Sequence, residues 1–136
     1  MKKLIILLFP FIAFAQIDNT KLQHEFVKEL NSYRVSKGLN VVKLTDSDNK
    51  KAECQTRYCV SIETLTHDYP EFKSVYAECG AFLSNLPDAR YCLNGWINSP
   101  SHNYLLLLPD IDTIGIFCSA GVNDNENGYF IFLVLN

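Results

Sequence analysis

Apolar residues recur along the chain with two different periods, and the change of period divides it into helices first and strands last. Leu22, Phe26, Leu30 and Tyr33 follow one another at steps of four, four and three, one face of an amphipathic helix. Thr20 with Gln23 gives a capping-box pattern at its start, Asp18 and Asn19 are further cap candidates, and Gly38 is the stop. Residues 39–44 form a short extended linker. Thr45, Asp46 or Ser47 then caps a second helix reaching about Glu63, with Ala52, Thr56, Cys59 and Val60 or Ile62 on its inner side. Pro70 ends any continuation.

Residues 74–82 carry Val75, Tyr76, Cys79 and Phe82 and form a strand with a bend at Gly80. Ser84 or Asn85 caps a third helix with Pro87 in its first turn, and Ala89, Leu93, Trp96 and Ile97 make its apolar face. Pro100 interrupts the pattern, and Ser101 caps a short fourth helix over residues 102–107, before Pro109. Residues 113–118 and 129–135 are β-branched and aromatic runs separated by turn-forming residues 123–128, so they pair as an antiparallel hairpin with a long loop. Helices followed by strands, without βαβ alternation, predict an α+β domain with helices covering the faces of an antiparallel sheet.

At 136 residues, 48% hydrophobic and 20% charged, the chain has the composition of one globular domain. Its net charge of -3 gives no footprint for nucleic acid. Residues 1–15 have the form of a secretory signal: Lys2 and Lys3, an apolar run over 4–14, and a small-x-small site at Ala13-Phe14-Ala15 before Gln16. That run, broken by Pro10, falls short of the ~20 residues that span a bilayer. The expected product is a secreted domain of residues 16–136, in a periplasm or outside the cell, monomeric and without a membrane span.

All five cysteines, Cys54, Cys59, Cys79, Cys92 and Cys118, fall in the exported part, where disulfides are permitted and one thiol must be left over. Which of them pair stays open, except that Cys54 and Cys59 stand about 140° apart around one helix and cannot readily bridge. No pair has C-x-x-C spacing, so nothing supports a zinc site made of cysteines.

Four stretches together resemble one family. Leu30-Asn31-Ser32-Tyr33-Arg34 with Gly38-Leu39 is similar to an opening "LN-x-x-R-x-x-x-G-L" helix, and Leu65-Thr66-His67 to an "L-S-H" after the second helix. Gly95-Trp96-Ile97-Asn98-Ser99-Pro100-Ser101-His102 is close to "G-W-x-N-S-P-G-H", and Thr113-Ile114-Gly115-Ile116 to the "E-I-G-V" strand after it. The family is the CAP superfamily of cysteine-rich secretory, antigen-5 and pathogenesis-related-1 proteins, and most nearly its bacterial SCP-like domains. The resemblance implies a three-layer α-β-α sandwich with a small, mainly antiparallel sheet and a cleft in which two histidines and two acidic residues can hold a divalent metal. His67 and His102 take the histidine positions and Glu78 one acidic position, while the other falls on Ser99.

Two neutral imidazoles and a carboxylate are a sufficient first shell for zinc with water in the fourth position, so His67, Glu78 and His102 are the candidate metal ligands. Without metal, Glu78 polarising a histidine, with His102 and Ser99 nearby, is the candidate catalytic set. The favoured function is an extracellular binding module without turnover, whose cleft of His67, Glu78, Ser99 and His102 takes a small apolar or lipid-like ligand or a metal ion, or which engages an extracellular partner. The alternative is an extracellular metal-dependent or histidine-assisted hydrolase acting on peptide or cell-envelope material. A cysteine hydrolase is weaker still, because none of the five cysteines has a nucleophile's surroundings.

Overall fold

The computed structural model describes residues 16–68 and 75–136, so the expected signal sequence, Pro70 and the first residue of the expected strand lie outside the described residues. In chain order come α1 (Asn19–Ser36), β1 (Lys43–Leu44), α2 (Asp46–Ile62), β2 (Ala77–Leu83), α3 (Ala89–Ile97), α4 (Pro100–Leu106), β3 (Thr113–Asn123) and β4 (Glu126–Leu135). The strands form one sheet in the order β1-β3-β4-β2, antiparallel except where β1 runs parallel to β3. The short extended linker thus ends as a strand, with Lys43 opposite Thr113 and Leu44 opposite Ile114.

Alternation along the strands gives the two faces of the sheet different cores. Ile114, Ile116, Cys118, Ile131, Leu133 and Leu135 face α1 and α3, where the predicted stripe of Leu22, Phe26 and Leu30 meets Leu93 and Trp96. Phe130 and Phe132 face α2 and pack on Cys59. The result is the expected α-β-α sandwich. The approach of α2 is so close that a Cβ on Gly115 would stand 2.0 Å from the backbone carbon of Asp48. Asp48 is itself buried and takes hydrogen bonds from Thr45, Lys51 and Asn136, anchoring the start of α2 to the end of the sheet.

Several boundaries differ from the sequence expectation for identifiable reasons. Of the three α1 cap candidates it is Asp18 that caps, accepting from the Lys21 N–H, while the Thr20–Gln23 capping box does not form and Gln23 gives its amide to the Ile116 carbonyl. Asp88 caps α3 by accepting from the Tyr91 N–H, which leaves Pro87 outside the helix. Pro100 opens α4 rather than separating it from a Ser101 cap, as its preset φ and missing N–H suit a first turn. The long hairpin loop is absent: Asp124 and Asn125 have φ of 48° and 71°, making a two-residue turn of the type that matches strand twist, and the strands run on to Asn123 and Glu126.

The expected disulfides are not formed, and all five thiols are free. The sheet separates Cys59 from Cys79, Cys92 and Cys118. Cys79 and Cys118 lie on β2 and β3 with β4 between them, about 10 Å apart by strand spacing and too far to bridge.

Candidate functional site

The loop after α2 is held from inside the helix. Gln55 donates to the Thr66 carbonyl, and the Cys59 thiol donates to the same oxygen at 3.3 Å. This places the next residue, His67, over the sheet edge, where its Nδ1 lies 2.7 Å from Glu78 Oε1 on β2 and its ring stands edge-on to Phe132. A carboxylate only accepts, so Nδ1 carries the proton and Nε2 is the free nitrogen of the neutral ring. The hydrogen bond to Glu78 raises the His67 pKa above the ordinary histidine value, against the opposing effect of burial.

The second pair sits at the start of α4. Ser99 is the N-cap residue, but its hydroxyl makes no capping bond and lies 2.9 Å from His102 Nδ1. His102 stacks obliquely near Trp96, with ring centroids 6.5 Å apart. Burial lowers the His102 pKa, and the nearby charge of His67 lowers it further. The far end of α4 is tied down by Arg34, a fully buried side chain whose Nη1 donates to the carbonyls of Leu106 and Leu108 while Nε donates to Asn40.

The four expected site residues therefore assemble as two pairs, His67 with Glu78 and Ser99 with His102. The acid polarises the histidine that has no hydroxyl beside it, and the hydroxyl lies beside the histidine that has no acid, so no serine–histidine–acid relay is built. For zinc the donors are also divided. Glu78 is engaged with His67 Nδ1, and among the described residues no three His, Cys, Asp or Glu side chains stand together to hold a metal ion. The three-ligand shell expected from His67, Glu78 and His102 does not fit this arrangement.

Beside the second pair lies a cavity of about 480 Å³ between β2, α3 and α4. Ala81, Leu83, Ile131 and Trp96 give it apolar walls, with Ser99 and His102 at one end. Trp96 is 4% exposed, and its indole N–H has no hydrogen-bond partner among the described residues. It is not sealed in, since the one fully buried unpaired side-chain atom among the described residues is Arg34 Nη2.

The family model for CAP, the cysteine-rich secretory protein family, matches residues 27–136. The chain belongs to this family. As a CAP domain it superposes on an outer surface protein of Borrelia burgdorferi with 22% identity and a TM-score of 0.66, covering 88% of this chain and 96% of that one. An extracellular protein containing an SCP domain from Bacillus anthracis matches at 16% identity and TM-score 0.64, over 87% of this chain and 41% of that one. This CAP chain thus spans less than half of the Bacillus protein. NaASP2, in a crystal structure with Zn2+, matches at 12% identity and TM-score 0.64, over 84% of this chain and 78% of that one. No curated protein matches the sequence. At these identities the likeness establishes the CAP fold.

Tyr91, Asn94, Gly95 and Asn98 also line the cavity, and the sequence reading of this CAP domain passed over them as cleft residues. Their signal was present: they recur at helical spacing on the side of α3 opposite its apolar stripe. Gly95 is a glycine inside a helix where a Cβ would meet nothing within 4 Å, so neither packing nor a left-handed turn demands it.

Proposed function

We propose that this CAP domain acts outside the cell as a binding module that takes a small, largely apolar ligand into the cavity between β2, α3 and α4. The observation that carries this reading is the cavity itself. Its volume of about 480 Å³ lies in the range of small-molecule sites, and it sets apolar walls against a few polar groups, Asn94, Asn98 and the free edge of His102. The extracellular setting is supported by the signal-like residues 1–15 and by relatives described as an outer surface protein and an extracellular protein. Among the described residues no helix is long and apolar enough to cross a membrane. Hydrolysis has less support, because the nucleophile–base–acid order is divided between two pairs.

The test is native mass spectrometry of the exported protein after incubation with cell-envelope extract or with zinc. The expected result is capture of an intact small molecule by the wild type and none by Gly95→Leu, whose side chain fills open space in the cavity. Accumulating cleavage products that vanish in Glu78→Ala would overturn the reading in favour of hydrolysis.

A further inference from the structure

Ile17, the second residue of the expected exported chain, is half-buried and packs on the core between α1, α3 and the sheet. The residue after it, Asp18, caps α1 by accepting from the Lys21 N–H. Gln16, directly ahead of both, is exposed. It lines a hollow of about 290 Å³ together with Ile17, Leu86 and Pro87, and Leu86 is 42% exposed.

Removal of the signal-like residues after Ala15 would turn Gln16 from an internal residue into one with a free α-amine. Glutamine is the residue whose side-chain amide carbon can close a five-membered ring with its own α-nitrogen. Gln23 and Gln55 are internal and have no such amine. We propose that Gln16 of the exported protein is a modification site and matures to pyroglutamate. This rests on the export reading above and adds a covalent step to it. The neutral amine attacks Cδ as a nucleophile, the Cδ–Nε2 bond breaks, and ammonia leaves with a proton from the amine. One amide replaces another, so no oxidant, reductant or water takes part.

Two features of the surroundings favour the ring. The open form holds an ammonium just ahead of the N-terminus of an 18-residue helix, where the macrodipole disfavours positive charge, whereas the lactam is neutral. The ring's methylene groups can also lie in the hollow against Leu86 and Pro87 instead of in water. A closed ring leaves an aminopeptidase no α-amine to grip. Outside a cell this protects the residues next in line, since trimming beyond Gln16 would remove first the core contact of Ile17 and then the Asp18 cap.

The test expresses the full chain with its signal-like start in an exporting bacterial host and holds the purified protein at about pH 8, where much of an α-amine is neutral. Intact and tandem mass spectrometry follow, with reductive methylation to mark free amines. The expected result is a chain of residues 16–136 lighter by one ammonia, with the loss placed on residue 16 and no label on its α-nitrogen. Gln16→Ser should keep a labelled α-amine and be shortened by an aminopeptidase that leaves the wild type intact. A chain of residues 16–136 that keeps its full mass and a labelled amine overturns the cyclisation and leaves the export reading standing. A chain that starts at another residue, or retains residues 1–15, overturns the cleavage on which the proposal rests and the proposal with it.

Discussion

At His67 the carboxylate of Glu78 accepts the Nδ1 proton, so charging the ring gains a partner, whereas charging His102 must overcome burial and the nearby His67. The two rings should titrate on opposite sides of the ordinary histidine value of about 6.5. Linkage gives their effects on stability opposite signs. His67, raised in the folded state, contributes stability that is present below its unfolded pKa and lost as pH rises through the folded one. His102, lowered, loses stability as pH falls through the unfolded value. Proton NMR of the C–H ring resonances checks this: Glu78→Gln should bring the His67 midpoint down, and an unmoved midpoint would remove the polarising role of Glu78. Sequence singled out His67, Glu78, Ser99 and His102 and put Ser99 near His102, but not which histidine Glu78 would meet, because that depends on where Gln55 and Cys59 hold the loop after α2.

Two glycines show how an element's surroundings decide the sign of one substitution. Gly115 on β3 lies against the first turn of α2, and a methyl group there would collide with the backbone of Asp48 and Asn49. Gly115→Ala should cost about 2 kcal/mol or more, since the obstacle is backbone that cannot rotate away. Gly95 on α3 has open space, and Gly95→Ala should instead stabilise by about 0.5–1 kcal/mol through helix propensity. Thermal or urea unfolding of the two variants distinguishes them, and destabilisation by Gly95→Ala would show that this position carries a packing role. The helices and the hairpin were legible because their periods are long and regular. Asp18 was legible as one of three cap candidates for α1, but the cap at Asp88 and the start of α4 at Pro100 were not, since several neighbouring residues could serve and tertiary contacts chose among them. Gln23 illustrates this: a capping-box residue by spacing, it is drawn across to the Ile116 carbonyl by the β3 edge.

For the whole molecule, composition and the signal-like start led to an expectation of disulfides, whereas a continuous apolar core on each side of the sheet makes them unnecessary. Burial pushes the thiols of Cys79, Cys92 and Cys118 up to about 12, and that of Cys59 is also raised. They should react slowly with a thiol reagent in the native protein, while the partly exposed Cys54 reacts first and all five react after denaturation. An intact mass short of two hydrogens per bridge would refute the free-thiol arrangement. The layer order was legible from the resemblance and the period change, but the sheet's mixed direction was not, because β1 is only two residues long.

The tight reversal at Asp124 and Asn125 carries a consequence for how the chain reaches its native state. It joins the two longest strands by the most local contact in the sheet, while β1 must find β3 about half the sequence away, Lys43 pairing with Thr113. Loop closure of that size is slow compared with the zipping of a hairpin, which makes the β3–β4 ladder the natural nucleus. Asn125→Gly, which eases the left-handed turn position, should therefore quicken refolding in stopped-flow measurements and leave the unfolding rate nearly unchanged.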